Sequence, residues 1–286
     1  MNVKIITDSA CDLPDDIISK FDIDVFPLMV YMNDKEYRDN VDVKPAELFK
    51  YMRAGGVAKT AQATYESIHS MFKKYATSNE PCIYIAFSSE LSGTFQTAKI
   101  VEQDIKEEYP DFDLTVIDSK AASLGFGLIV YLTALQAKKG VQKEELIEKV
   151  YYYKEHMEHI FTVDDLEYLY RGGRVSKTAA VLGTVLNIKP ILDVEDGKLI
   201  PIEKVRGRKK SISRMIEITE KRGDRLGEQI VAINHADDIE TALTIKDKLQ
   251  EKFGIKEFVI RDVGCAIGAH SGPGTLSIFF LNKLDD

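Results

Sequence analysis

IYIAFSSELSGTFQTAK, residues 83–99, joins three local signals in one stretch. Ile83 to Phe87 is a short apolar run of the kind that forms a buried strand. Ser88 to Gly93 is small and rich in hydroxyls, and from Thr94 onward Phe95, Ala98, Val101 and Ile105 recur at helical spacing. Strand, hydroxyl loop and helix in that order outline an anion site, because the first turn of a helix leaves backbone N–H groups without partners and carries partial positive charge. The same residues also permit a plainer reading, in which Ser92 or Thr94 caps its own helix.

Strand and helix alternate on both sides of this stretch. Val3 to Thr7 reads as a buried strand, followed by the polar turn Asp8-Ser9-Ala10-Cys11-Asp12 and a short helix opened by Leu13-Pro14, with Asp12 available as its cap. Ile23 to Tyr31 is β-like apart from Pro27, and Asn33-Asp34 turns it back through Glu36-Tyr37. Helices follow at Pro45 to Arg53 and Tyr65 to Ala76, separated by the short polar stretch Lys59-Thr60-Ala61-Gln62-Ala63. Beyond residue 99, Leu114 to Ile117 is a strand, Asp118-Ser119 a turn, and an uncharged helix runs from Ala121 to near Lys138-Lys139-Gly140. This alternation predicts an α/β/α lobe: a parallel sheet with helices on both faces, whose loops at Asp8-Ser9, Ser88 to Thr94 and Asp118-Ser119 share one edge.

After a helix from Glu144 to about His156 the pattern changes. Phe161-Thr162-Val163 is a short strand, Asp164 is placed to cap Asp165 to Tyr170, Arg171-Gly172-Gly173-Arg174 breaks that helix, and Lys177 to Leu186 resumes one. Ile188 to Val194 and Lys198 to Val205 flank Glu195-Asp196-Gly197, a strong hairpin signal. Helices near Ser211 to Lys221 and Ile239 to Phe253 alternate with strands at Ile230 to Asn234, Phe258 to Arg261 and Thr275 to Leu281. The expectation is an α/β protein of two lobes, residues 1–157 with the parallel sheet and residues 158–286 as an α+β unit whose mixed sheet carries helices against one face.

Composition narrows the function. A formal charge of −8 opposes general affinity for nucleic acid or an anionic membrane. Cys11, Cys82 and Cys265 lie far apart and form no CxxC pair, which fits buried thiols in a reducing cytoplasm. Residues 1–8 reach a polar side chain too early for a signal peptide, and Ala121 to Ala137 is slightly short for a membrane span, so a buried helix and a cytoplasmic protein are expected.

Several clusters could carry chemistry. His270-Ser271-Gly272-Pro273-Gly274 fixes a tight turn beside a histidine, just ahead of the last strand. Lys204 to Lys210 packs five cations into seven residues of an acidic chain, and Arg171 and Arg174 flank a glycine pair, which together suggest a specific anionic partner. His156 and His159 with Glu155 and Glu158 resemble a metal pair, but a third ligand is missing and a solvated helix end is the expectation, so no metal is assigned. Ser92 and His270 also read as nucleophile and base of a serine-dependent acyl hydrolase, although neither a GxSxG elbow nor a carboxylate for the histidine accompanies them. Phosphate-loop and dinucleotide motifs are absent.

Taken together, Thr7-Asp8-Ser9 with Asp12-Leu13-Pro14, Lys59-Thr60-Ala61-Gln62, Ser88 to Thr94, Asp118-Ser119, Leu166 to Leu169 with Arg171 to Arg174, Asn187-Ile188-Lys189-Pro190, Lys204 to Gly207 and His270 to Gly274 make the chain similar to the DegV family of bacterial fatty-acid-binding proteins, which includes the FakB subunits of fatty acid kinase. The resemblance covers essentially the whole chain. It implies a DegV-like fold that holds a long-chain fatty acid and catalyses nothing itself, presenting the carboxylate to a separate DAK-type kinase subunit that makes acyl phosphate from ATP. It implies Thr60, Ser92 and His270 as ligand-binding residues, and Arg206 with Arg171 and Arg174 as partner-facing cations, with no cofactor. One departure is Ala61, where the family commonly has serine. The acyl tail is expected along apolar segments such as Ala121 to Leu135.

Overall fold

In the computed structural model, which describes residues 3–176 and 187–285, the first half forms a four-stranded parallel sheet. Its strands are β1 (Lys4–Asp8), β2 (Asp24–Phe26), β6 (Cys82–Ala86) and β7 (Leu114–Asp118), ordered β2-β1-β6-β7. Every residue of β6 is buried, as a parallel strand covered on both faces requires. Helix α3 (Tyr65–Ser78) packs with α4 (Thr94–Glu108) and along β2, α4 packs along β7, and α5 (Ser123–Lys138) packs along β1.

The loops after β1, β6 and β7 do share one edge. The Asp8 carboxylate accepts the Phe87 N–H at 3.0 Å and the Tyr84 hydroxyl at 2.9 Å, and Asp118 accepts the Ser89 N–H at 3.1 Å. Two side chains do something other than the sequence suggests. Asp12 does not cap α1 (Asp15–Lys20), whose N-cap is Pro14; it is buried, where it accepts the Gly264 N–H at 3.0 Å and the Ser123 hydroxyl. At α7 (Glu167–Arg171) the first-turn N–H of Glu167 is taken by Asp165 at 2.9 Å, while Asp164 pairs with Lys189 and Arg208.

A small antiparallel sheet sits beside these elements, ordered β4-β3-β5, with β3 (Met29–Met32) and β4 (Lys35–Arg38) joined by the expected turn. Asn33 and Asp34 both have positive φ, 51° and 58°, the twist a two-residue hairpin needs. Strand β5 (Lys59–Ala61) is the polar stretch that periodicity left unassigned; backbone pairing with β3, Thr60 opposite Val30, holds it in place of side-chain burial.

The second half builds a six-stranded mixed sheet, β10-β9-β8-β13-β11-β12, from β8 (Met157–Thr162), β9 (Ile188–Glu195), β10 (Lys198–Arg206), β11 (Ile230–His235), β12 (Glu257–Asp262) and β13 (Leu276–Leu281). Only β11 and β12 pair in parallel within it. Side chains alternate across β13: Ile278 and Phe280 pack with Met215 of α8 (Arg208–Arg222) and Ile245 of α9 (Ile239–Phe253), whereas Phe279 and Leu281 join the core around α5. Helix α5 therefore lies between the two sheets, touching β1 on one side and β8, β11 and β13 on the other. That position accounts for the lack of charge before Lys138, since a helix segment buried on all sides has no polar stripe. The boundary expected between residues 157 and 158 falls one residue inside β8. The helix read over 177–186 lies outside the described residues.

Candidate functional site

The loop Ser88 to Gly93 and β5 meet a third element, α10 (Cys265–Ser271), around a cavity of about 430 Å³. From Val263 onward, Ala266, Ile267, His270 and Ser271 line it at the three-to-four-residue spacing of one helix face, apolar first and polar at the C-terminal end. Thr60 Oγ1 lies 2.6 Å from His270 Nε2. Ser92 also lines this end; its Oγ sits 2.9 Å from Thr94 Oγ1 and accepts the Thr94 N–H at 3.2 Å, while Thr94 Oγ1 accepts the Ala63 N–H at 3.2 Å. The serine thus serves its own helix and the cavity at once.

The structure brings Thr60, Ser92 and His270 together, and adds Arg174. Its Nε and Nη2 donate to the Leu91 carbonyl at 3.1 and 2.8 Å, and Nη1 reaches the Gly172 carbonyl, so the guanidinium ties the turn after α7 to the hydroxyl loop. Arg174 lines the cavity, which sets it apart from the other two cations read from the sequence. Arg171 is exposed with its guanidinium 5.2 Å from the Tyr168 ring, and Arg206 is exposed at the end of β10. Within the basic run, Arg208 is absorbed by Asp164, Asp238 and the Gly274 carbonyl.

Gly172 explains how the histidine fits. A Cβ there would stand 2.1 Å from His270 Nδ1. Burial pushes the His270 imidazole down to about 4, and the nearby Arg174 and Arg171 charges add to the effect, so the ring is neutral at physiological pH. Ser271 Oγ, adjacent and buried in the same wall, has no hydrogen-bond partner within the described residues.

Below this polar end the wall turns apolar. Strands β8 and β13 run antiparallel down it, with Phe161 opposite Ser277 and His159 opposite Phe279. Val194 and Leu199 from the β9–β10 pair complete the side, together with Phe87 and Leu91. Of the segment Ala121 to Leu135, along which an acyl tail is expected from the sequence, Ala122 and Ser123 line the cavity, while much of α5 packs between the sheets. The reading of His159 is corrected. Helix α6 (Lys143–His156) ends before it, and His159 is a buried strand residue that accepts the Ala122 N–H at 3.3 Å.

A hydrolytic reading finds no support in this geometry. His270 is bonded to Thr60, Ser92 to Thr94, and among the described residues no carboxylate is hydrogen-bonded to His270. No described group of histidine, cysteine and carboxylate side chains could hold a metal ion. No helix among the described residues is long and apolar enough to cross a membrane.

A family model described as an uncharacterised protein of the DegV family matches residues 2–283. The chain belongs to the DegV family. A DegV domain-containing protein of Clostridium perfringens is 39% identical over 280 residues, covering 97% of this chain and 96% of that protein. Among solved DegV structures, one from Thermus thermophilus described by its fatty acid binding aligns with a TM-score of 0.89 at 27% identity, over 98% of this chain and 99% of that one. One from Thermotoga maritima, described as revealing a fatty acid binding function, aligns with a TM-score of 0.85 at 30% identity, again over 98% and 99%. The DegV fold is shared as well by the fatty acid kinase B3 protein of Streptococcus pneumoniae, at a TM-score of 0.88 and 23% identity over 99% of this chain and 100% of that one.

Proposed function

We propose that this DegV protein binds a long-chain fatty acid in the cavity and presents its carboxylate to a separate ATP-dependent kinase in the cytoplasm. The observation that carries the reading is the graded wall: donors at one end, and below them an apolar lining from Phe161, Phe279, Leu91 and Val194. A buried carboxylate is costly unless hydrogen-bonded, and the donors answer that cost. With the proton on Nε2, the neutral imidazole donates to Thr60 Oγ1, leaving the threonine hydroxyl free to donate into the cavity. Ser92 and the half-buried Arg174 supply a second hydroxyl and a positive charge. Each methylene buried below contributes ~0.8 kcal/mol, so the chain supplies affinity and the head group supplies orientation. The fatty-acid-binding descriptions of the Thermus and Thermotoga relatives support the same ligand class.

Presentation to a kinase rests on the exposed Arg171 and Arg206, both near the polar end. Register puts Arg206 opposite Ile188, at the end of the mixed sheet where Thr162 and Leu276 pair. A phosphorylating partner would find the carboxylate end of the ligand there, flanked by cations. Native mass spectrometry of the purified protein should reveal a bound fatty acid, and Ser92→Ala should weaken binding of added palmitate or oleate without creating or abolishing any esterase turnover. Repeated failure to detect a bound acid, with no uptake of an added one, would count decisively against this function.

A further inference from the structure

His159 lies three residues along β8 from Thr162, whose partner Leu276 opens the strand that follows the His270 turn, and His159 and Val194 belong to two walls at once. They line the apolar cavity and also a second cavity of about 650 Å³, whose other walls include Lys120, Lys154, Glu158 and Arg222. The partition between them is tightly built. The His159 ring stands edge-on to Phe279, centroids 5.4 Å apart at 87°, and α5 closes on the pair through Gly125, where a Cβ would meet His159 Nε2 and Phe279 Cδ1 at 2.6 Å each. Both imidazole nitrogens are engaged by backbone, Nε2 with the Ala122 N–H and Nδ1 with the Met157 carbonyl, each at 3.3 Å. The ring is therefore pinned in its plane and has no part in the head-group clamp.

We propose that His159 is the length stop of the tail cavity, the residue that sets the longest saturated acyl chain this protein accepts. This rests on the cavity being a fatty-acid site. The terminal methyl of a fully extended chain meets the imidazole, and one further methylene has to displace a ring that Gly125 and Phe279 leave no room to move. The polar ring also suits its place, since one side faces hydrocarbon and the other a charged chamber.

Removing the ring vacates room for about two or three methylenes, each worth about fourfold in affinity, the equivalent of ~0.8 kcal/mol. Beyond that the chain enters the charged chamber and the gain ends. The test is competition among equimolar saturated acids from myristic to behenic, read by native mass spectrometry on delipidated protein. Wild type should show a sharp upper limit, His159→Ala a limit about two or three carbons higher, and His159→Phe, which restores an aromatic stop, a limit near that of wild type. Val194→Ala, which thins the same partition from the β9 side, should shift selection in the same direction and keeps the test open if His159→Ala fails to fold. Unchanged length selection in a folded His159→Ala or, failing that, in Val194→Ala overturns the length stop while leaving the fatty-acid site intact. If no protein, wild type included, takes up any acid, the site reading itself falls and this inference with it.

Discussion

Thr60 and His270, 210 positions apart in the chain, meet at 2.6 Å through Oγ1 and Nε2. The contact joins the edge of the small antiparallel sheet to the last turn of α10, so one hydrogen bond ties distant elements together and orients the hydroxyl that the proposed function uses as a head-group donor.

Replacing Thr60 by valine keeps the shape and removes the hydroxyl. Fatty-acid affinity should fall roughly tenfold or more, as expected for losing a hydrogen bond to a charged group worth ~1.5–3 kcal/mol. Stability should drop by only ~1 kcal/mol. Titration with a fluorescent fatty acid separates the two effects, and wild-type affinity in Thr60→Val would remove the threonine from the clamp.

Gly172→Ala should be more damaging than its small size suggests. The added methyl would stand 2.1 Å from His270 Nδ1, and the imidazole has to leave Thr60 to make room. Overpacking of this kind costs ~1–3 kcal/mol. Thermal unfolding and binding should therefore both suffer, whereas Gly173→Ala, with nothing within 4 Å of its Cβ, should lose stability only through its φ of +73° and leave binding intact.

Acid should destabilise the protein through its buried histidines. His270 and His159 both titrate near about 4 in the fold against an ordinary value of 6.5, so the unfolded chain takes up protons first as pH falls. Their contribution is complete above about 6.5 and is lost as pH drops to about 4, up to ~3 kcal/mol for each. Asp8 has the opposite sign: burial pushes it up to about 7, so its contribution is present at low pH and is lost as pH rises through about 7. Urea unfolding across this range should show a shallower acid limb in His270→Asn, and a smaller decline toward alkaline pH in Asp8→Asn, whatever the offset of each variant. Parallel pH profiles for wild type and His270→Asn would contradict the assignment.

Arg206 and Arg174 should separate presentation from binding. Arg206→Ala should leave fatty-acid affinity unchanged and reduce acyl phosphate formation with the kinase several-fold. Arg174→Ala should lower both, because it breaks the bonds to the Leu91 carbonyl and removes a charge from the cavity. Identical phosphorylation rates for Arg206→Ala and wild type would exclude that arginine from the partner surface.

Much of the architecture is legible from local pattern. The run from Ile83 through Lys99 announces strand, loop and helix because each piece follows its own periodicity, and Asp196-Gly197 turns with φ of 48° and 84°, as its residue types suggest. What escaped was set by distant partners. β5 is a strand only because β3 lies beside it, and Asp12 looked like a helix cap until Gly264 and Ser123, far along the chain, claimed its carboxylate. His159 sits three residues after a helical histidine, and nothing local marks the change of element that buries it. That α5 gives the cavity only Ala122 and Ser123 was hidden for a related reason: an uncharged helix signals burial without saying whether protein or cavity is the neighbour.

The neighbours of α5 are two sheets, and this bears on how the molecule comes apart. Residues from both halves, among them Ile5, Leu128, Ala232 and Phe279, belong to one continuous apolar cluster around that helix. Severing the chain near the start of β8 would leave a fragment with one flank of α5 bare to water, and its other half with an uncovered sheet. This shared cluster predicts that denaturant melts the two sheets together, with coincident transitions by different probes, despite a topology that looks divisible in two.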